Sequence, residues 1–138
     1  ILIGRLEERV KKEPENGKGW ELLAPIYLRA GRTSDAIAAQ ENAIRLLGST
    51  AEREVAYGEM LRIAHGGISA EAKAAFERAI ALDEKSAAAL FYLGLAAEQD
   101  GARDIARKYW TRIVEISGAR DQWRIPAQRR LMLLEKKQ

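Results

Sequence analysis

One spacing pattern recurs three times along the 138 residues. Trp20, Leu23, Ala24 and Tyr27 are followed by Ala36 and Ala43. Tyr57, Gly58 and Leu61 are followed by Ala72, Phe76 and Ala79. Leu90, Leu93, Gly94 and Ala97 are followed by Ala106, Trp110 and Ile113. Gly58 lies 34 residues after Ala24, and Gly94 lies 36 after Gly58; the two extra residues fit in the turn His65-Gly66-Gly67-Ile68. Separations of three and four put side chains on one helix face. A small residue there lets a second helix approach closely, and a large apolar residue fills the gap beside it. Such a chain folds as a stack of helix pairs, each burying its apolar face on its neighbours.

The pattern resembles the tetratricopeptide repeat, a helix–turn–helix unit of about 34 residues. It departs at Gln40, where an aromatic is expected, and at Glu54, where Trp is expected; Gly48, Glu84 and Gly118 replace the proline that usually ends a repeat. Composition agrees: 24 Ala and 15 Leu against 3 Val and 3 Thr favour helix, because β-branched side chains lose χ1 freedom there. No segment alternates with period two, so no sheet is expected. The expected fold is all-α, a right-handed tetratricopeptide-repeat superhelix. One domain, 1–138, divides into a capping helix (1–16), three repeats (17–118) and a second capping helix (119–138).

Helices are expected at 2–12, 17–30, 34–47, 51–64, 69–82, 87–100, 103–116 and 121–136. Asn16, Ser34, Ser49, Ser69 and Ser86 are the expected N-caps, with Ser49 and Glu52 at capping-box spacing. Gly31, Gly48, Gly66 and Gly101 stand where helix ends favour left-handed residues. In the last helix Trp123, Leu131 and Leu134 are expected to pack, with Arg124, Arg129 and Arg130 largely outside.

Several function classes are excluded or disfavoured. With no cysteine there are no disulfides, thiolate metal sites or cysteine nucleophiles. A single histidine, His65, excludes a His-pair zinc site; it precedes a Gly-Gly turn, where a helix-terminal charge is the simpler role. The adjacent carboxylates Glu7-Glu8 and Asp83-Glu84 do not face each other on a helix, and Gly66-Gly67 lacks a phosphate-loop lysine. No enzyme, cofactor or metal site is expected. The formal charge is +3, yet residues 119–138 carry +4 and residues 1–118 carry −1, so the excess belongs to the end of the chain. Without an aromatic stacking platform beside it, this basic helix is not expected to bind nucleic acid. The longest uncharged apolar stretch, Ser86 to Ala97, is too short for a membrane span of about 20 residues.

What remains is a groove. Tetratricopeptide solenoids bind helices or extended peptides on the concave surface made by the first helix of each pair. Repeat geometry places there Glu21, Pro25, Leu28 and Arg29; Val55, Glu59, Arg62 and Ile63; and Phe91, Leu95, Glu98 and Gln99. Apolar anchors with a polar rim suit an amphipathic helix. A core role is the alternative for Phe91 and Leu95. Pro25, inside a helix, is expected either to kink it or to shape the groove.

An ordered set of strings narrows the family. LEERVKKEP (Leu6–Pro14) leads into Gly19-Trp20-Glu21-Leu22-Leu23. Tyr57-Gly58-Glu59 precedes His65-Gly66-Gly67-Ile68. Ala74-Ala75-Phe76-Glu77-Arg78-Ala79 and Ala81-Leu82-Asp83 come next, followed by Phe91-Tyr92-Leu93-Gly94-Leu95-Ala96-Ala97 and Gln99-Asp100-Gly101. Ala106, Trp110 and Trp123-Arg124 complete the set. It resembles the periplasmic tetratricopeptide domain of CycH-type (CcmI-type) cytochrome c biogenesis proteins along nearly the whole chain. The resemblance implies a periplasmic segment of a bacterial inner-membrane protein, which also fits a chain starting at Ile1. It implies a chaperone that holds apocytochrome c by its C-terminal helix for the haem ligation machinery. A chain without thiols fits a client with a C-x-x-C-H motif, since it forms no mixed disulfides. A generic adaptor for another helical or extended peptide is the alternative.

Overall fold

The computed structural model describes residues 2–136. Its helices are α1 (Leu2–Lys12), α2 (Gly17–Arg29), α3 (Thr33–Leu47), α4 (Ala51–His65), α5 (Ala70–Leu82), α6 (Ala87–Gln99), α7 (Arg103–Ile116) and α8 (Arg124–Lys136), and no strand occurs among the described residues. The repeats are the pairs α2/α3, α4/α5 and α6/α7. Each pair packs on the next, with α1 against α2 and α8 against α7.

Local chemistry sets the helix ends. Asn16, Ser69 and Ser86 accept from the N–H groups of Gly19, Ala72 and Ala89, as their positions predict. Gly31, Gly48, Gly66 and Gly101 have φ between +70° and +94°, a region that penalises any Cβ. Two expected caps are corrected. Arg32 N–H bonds Tyr27 O at 2.9 Å, closing the turn so that α3 begins at Thr33 and Ser34 falls inside it; Arg32, the cap residue, makes no side-chain cap bond. At α4 the cap is Thr50, extended at φ −133° and accepting from Arg53 N–H at 3.1 Å. The Ser49–Glu52 capping box is not formed, because the Ser49 hydroxyl donates to Glu54 instead.

The small residues do what their spacing predicts. A Cβ on Gly58 would stand 2.6 Å from the Phe76 ring, and one on Gly94 2.6 Å from the Trp110 indole. Both rings are fully buried, each contributing about 1.5–3 kcal/mol by leaving water. In the first repeat Gln40 takes the slot of those rings and Ala24 that of the glycines. Gln40 is buried, and its amide donates to Arg53 O at 3.0 Å. Glu54 is also buried: Ser49 donates to it, and the Arg78 guanidinium lies 3.1 Å from its other oxygen, off the hydrogen-bonding direction, supplying charge. The two departures from the repeat pattern therefore form a polar junction between the first and second repeats.

Helix α8 begins three residues later than expected, because the Asp121 carboxylate accepts from Trp123 N–H at 2.8 Å in a turn. Two of its arginines are tied back to the rest of the fold. Arg124 donates to Val114 O at 2.8 Å and Ser117 O at 2.7 Å, closing the end of α7. Arg130 pairs with Glu98 at 3.3 Å. Arg129 is exposed. Helix α2 runs through Pro25 without a break, and the ring faces solvent.

Candidate peptide-binding groove

The first helices of the pairs, α2, α4 and α6, present their outward residues along one face, and cross-links between them fix its shape. The Arg53 guanidinium of α4 donates to Glu21 of α2 at 2.6 Å. The Arg62 guanidinium of α4 lies over the Tyr92 ring of α6, 5.2 Å from its centroid. Glu98 of α6 accepts from Arg130 of α8 and, at 2.9 Å, from the Trp110 indole. Adjacent helices are thus held by one contact per step, each pairing a cation with a carboxylate or a ring.

Each predicted groove residue has a definite place. Pro25, Arg29, Ile63 and Gln99 are exposed, and the other eight are half-buried. Leu28 packs on the cluster of Leu23, Ala24, Tyr27 and Met60, and Val55 on the cluster around Tyr57 and Phe76. Leu95 touches the clusters on both sides of α6. Phe91 is one of a connected set of rings: its centroid lies 5.1 Å from both Trp110 and Trp123 and 6.1 Å from Tyr92, which stacks on Phe76 at 4.7 Å. Phe91 and Leu95 therefore have core contacts and a partly open face. Gln99 bonds both Ile68 N–H (3.2 Å) and Ile68 O (3.0 Å), fastening the Gly-Gly turn to α6.

Glu59 sits half-buried beside Arg62 and Tyr92. Burial pushes its carboxyl above the usual range, while the Arg62 charge and a Tyr92 hydrogen bond act in the opposite direction. Burial likewise raises the Tyr92 phenol. Sequence reasoning missed Arg53 and Arg130, which pair with acids of this face, and Tyr92, the ring under Arg62. A signal for two of them exists: both Glu21–Arg53 and Glu98–Arg130 are opposite charges separated by 32 residues, close to the repeat length. Among the described residues no cluster of His, Asp and Glu has the arrangement to hold a metal, and no helix is long and apolar enough to cross a membrane.

Helix pairs that close over a small residue, stacked with their first helices on one face, define a tetratricopeptide-repeat protein, a protein-interaction fold. The family model "Cytochrome c-type biogenesis protein H TPR domain" matches residues 2–124, and the chain belongs to that family. The cytochrome c-type biogenesis protein CycH of Bradyrhizobium diazoefficiens is 42% identical over 124 residues, covering 89% of this chain and 34% of the relative. The CycH protein of Rhizobium meliloti is 43% identical, covering 89% and 32%. The chain thus spans about a third of the length of these curated relatives. Among solved structures, a crystal structure of MamA protein superposes with a TM-score of 0.82 at 25% identity, covering 97% of this chain and 70% of that one.

Proposed function

We propose that this chain is the client-holding segment of a c-type cytochrome maturation protein, and that the face built by α2, α4 and α6 binds apocytochrome c as a helix. The observation that carries the reading is a set of partly open apolar residues on the first helices of three successive repeats: Leu28 on α2, Val55 and Ile63 on α4, and Phe91 and Leu95 on α6. An amphipathic helix laid across them buries its apolar side, while its polar side meets the rim. Pro25, Glu21, Arg29, Glu59, Arg62, Glu98 and Gln99 border the set.

The family supports a periplasmic setting, with haem attachment carried out by partner proteins. The segment holds and passes on its client without performing chemistry. One domain over 1–138, with α1 and α8 as its caps, is the matching organisation. Isothermal titration with a C-terminal helix peptide of an apocytochrome c tests the reading. Saturable binding to that peptide and not to a scrambled peptide of the same composition is expected. Equal binding to unrelated amphipathic helices would indicate a general adaptor, and no binding to any helix would overturn the groove itself.

A further inference from the structure

Helix α2 meets α4 at two positions seven residues apart. Glu21 bonds Arg53, and Leu28 packs in one cluster with Met60. The same two contacts recur between α6 and α8. The Phe91 ring lies 5.1 Å from that of Trp123, one residue before α8, and Glu98 pairs with Arg130 at 3.3 Å, again seven residues further along both segments. All four pairs are 32 residues apart in sequence. Equal separations set α8 against α6 in the register that α4 keeps against α2, in which equivalent positions lie 34 residues apart, as Ala24 and Gly58 do. Helix α8 therefore holds the place of a fourth first helix. The repeat pattern hides this, because Gln128 stands at the position of Ala24, Gly58 and Gly94.

The same register carries the groove onto α8. The positions of Phe91, Leu95, Glu98 and Gln99 recur there as Ile125, Arg129, Met132 and Leu133. On α2 and α6 the next first helix partly covers such positions, as Met60 does beside Leu28 and Trp123 beside Phe91. On α8 they stay open: Ile125, Met132 and Leu133 are 59%, 57% and 45% exposed. Resting on the helix-binding reading above, we propose that α8 is a fourth groove helix, and that Ile125, Met132 and Leu133 seat one end of the apolar stripe of the same amphipathic client helix. Two observations favour this occupant over a second copy of the chain. The patch continues the groove through the Phe91–Trp123 and Glu98–Arg130 contacts. A two-fold pairing centred on it would set Arg129 against its own copy, and three side chains expose less than the about 800 Å² that each partner buries in a stable interface. Neighbouring helices lie about 8–10 Å apart. Four of them span about 24–30 Å, the length of a client helix of about 16–20 residues, whereas three match about 11–13.

Two synthetic amphipathic helices with the same leucine stripe, of about 18 and about 11 residues and both held helical by side-chain lactams, test this by titration against the whole chain. The longer helix should bind more tightly to the native chain. Met132→Glu should weaken it about tenfold, since a carboxylate then faces the apolar stripe, and should remove most of the difference between the two lengths. Leu133→Gln, a milder change at a second exposed position, should act in the same direction. Ile105→Glu, at an equally exposed residue of the second helix α7, should leave binding unchanged. Far-UV circular dichroism of each variant should match that of the native chain. Weakening by Ile63→Glu but not by Met132→Glu or Leu133→Gln limits the groove to three helices and overturns the role of α8. A dimer in sedimentation that Met132→Glu turns into a monomer, with helix binding unchanged, gives the patch to a second copy and also overturns it. Failure of both helices to bind the native chain overturns the groove and the fourth helix together.

Discussion

At Gly58 and Gly94 the fit between helices is decided by one missing methyl group. A Cβ there would stand 2.6 Å from the Phe76 or Trp110 ring, inside van der Waals contact, and both rings are fixed inside the core. Gly94→Ala should destabilise the fold by about 1–3 kcal/mol through overpacking, measured as a lower urea midpoint. An unchanged midpoint would mean the ring can retreat. Glu59 gives a pH-dependent prediction. Its carboxyl is raised mainly by burial, so the folded state holds the proton more tightly than the unfolded chain. The associated stability is fully present below the unfolded value of about 4.3 and is lost as pH rises through the folded value. Glu59→Gln, neutral at every pH, should therefore raise the melting temperature at neutral pH, and the gain should vanish toward acid. A gain that persists there would assign the effect to packing. The glycines were legible because their spacing repeats. The buried roles of Gln40 and Glu54 were not, because their partners Arg53 and Arg78 come from other helices and follow no repeat pattern.

Helices were legible where local chemistry decides them and less so where a neighbour does. Asn16, Ser69 and Ser86 cap as their side chains allow, three residues before the N–H groups that donate to them. Ser49 does not, because the better-placed Thr50 caps α4 and Glu54 draws the Ser49 hydroxyl away. The arginines of α8 mislead for the same reason: charge and amphipathic pattern place Arg124 in solvent, while the open carbonyls of Val114 and Ser117 bring it inward. Arg124→Ala leaves both carbonyls without this donor and should cost about 1–3 kcal/mol. The loss should appear in hydrogen exchange as faster opening at the end of α7 and across α8. Uniform exchange changes along the chain would contradict this local role.

Across the whole molecule, stacking the pairs turns a sequence period into a surface. The period shows that α2, α4 and α6 share a face and names the positions on it. It does not show that Phe91 is tied into a set of rings by Trp123, seven residues beyond the last repeat helix, nor that Gln99 fastens the Gly-Gly turn. Phe91 is consequently a poor probe of binding, since its replacement disturbs the core. Ile63 is a good one: it is 47% exposed and belongs to the apolar set.

The most direct measurement is titration of an apocytochrome c C-terminal helix peptide into the native chain and into Ile63→Glu, with far-UV circular dichroism of both proteins. Saturable binding to the native chain, and binding weakened about tenfold or more in a variant of unchanged helicity, is the predicted result; burying a carboxylate against an apolar helix face costs at least that much. Equal affinity for both proteins would place the client elsewhere and contradict the groove.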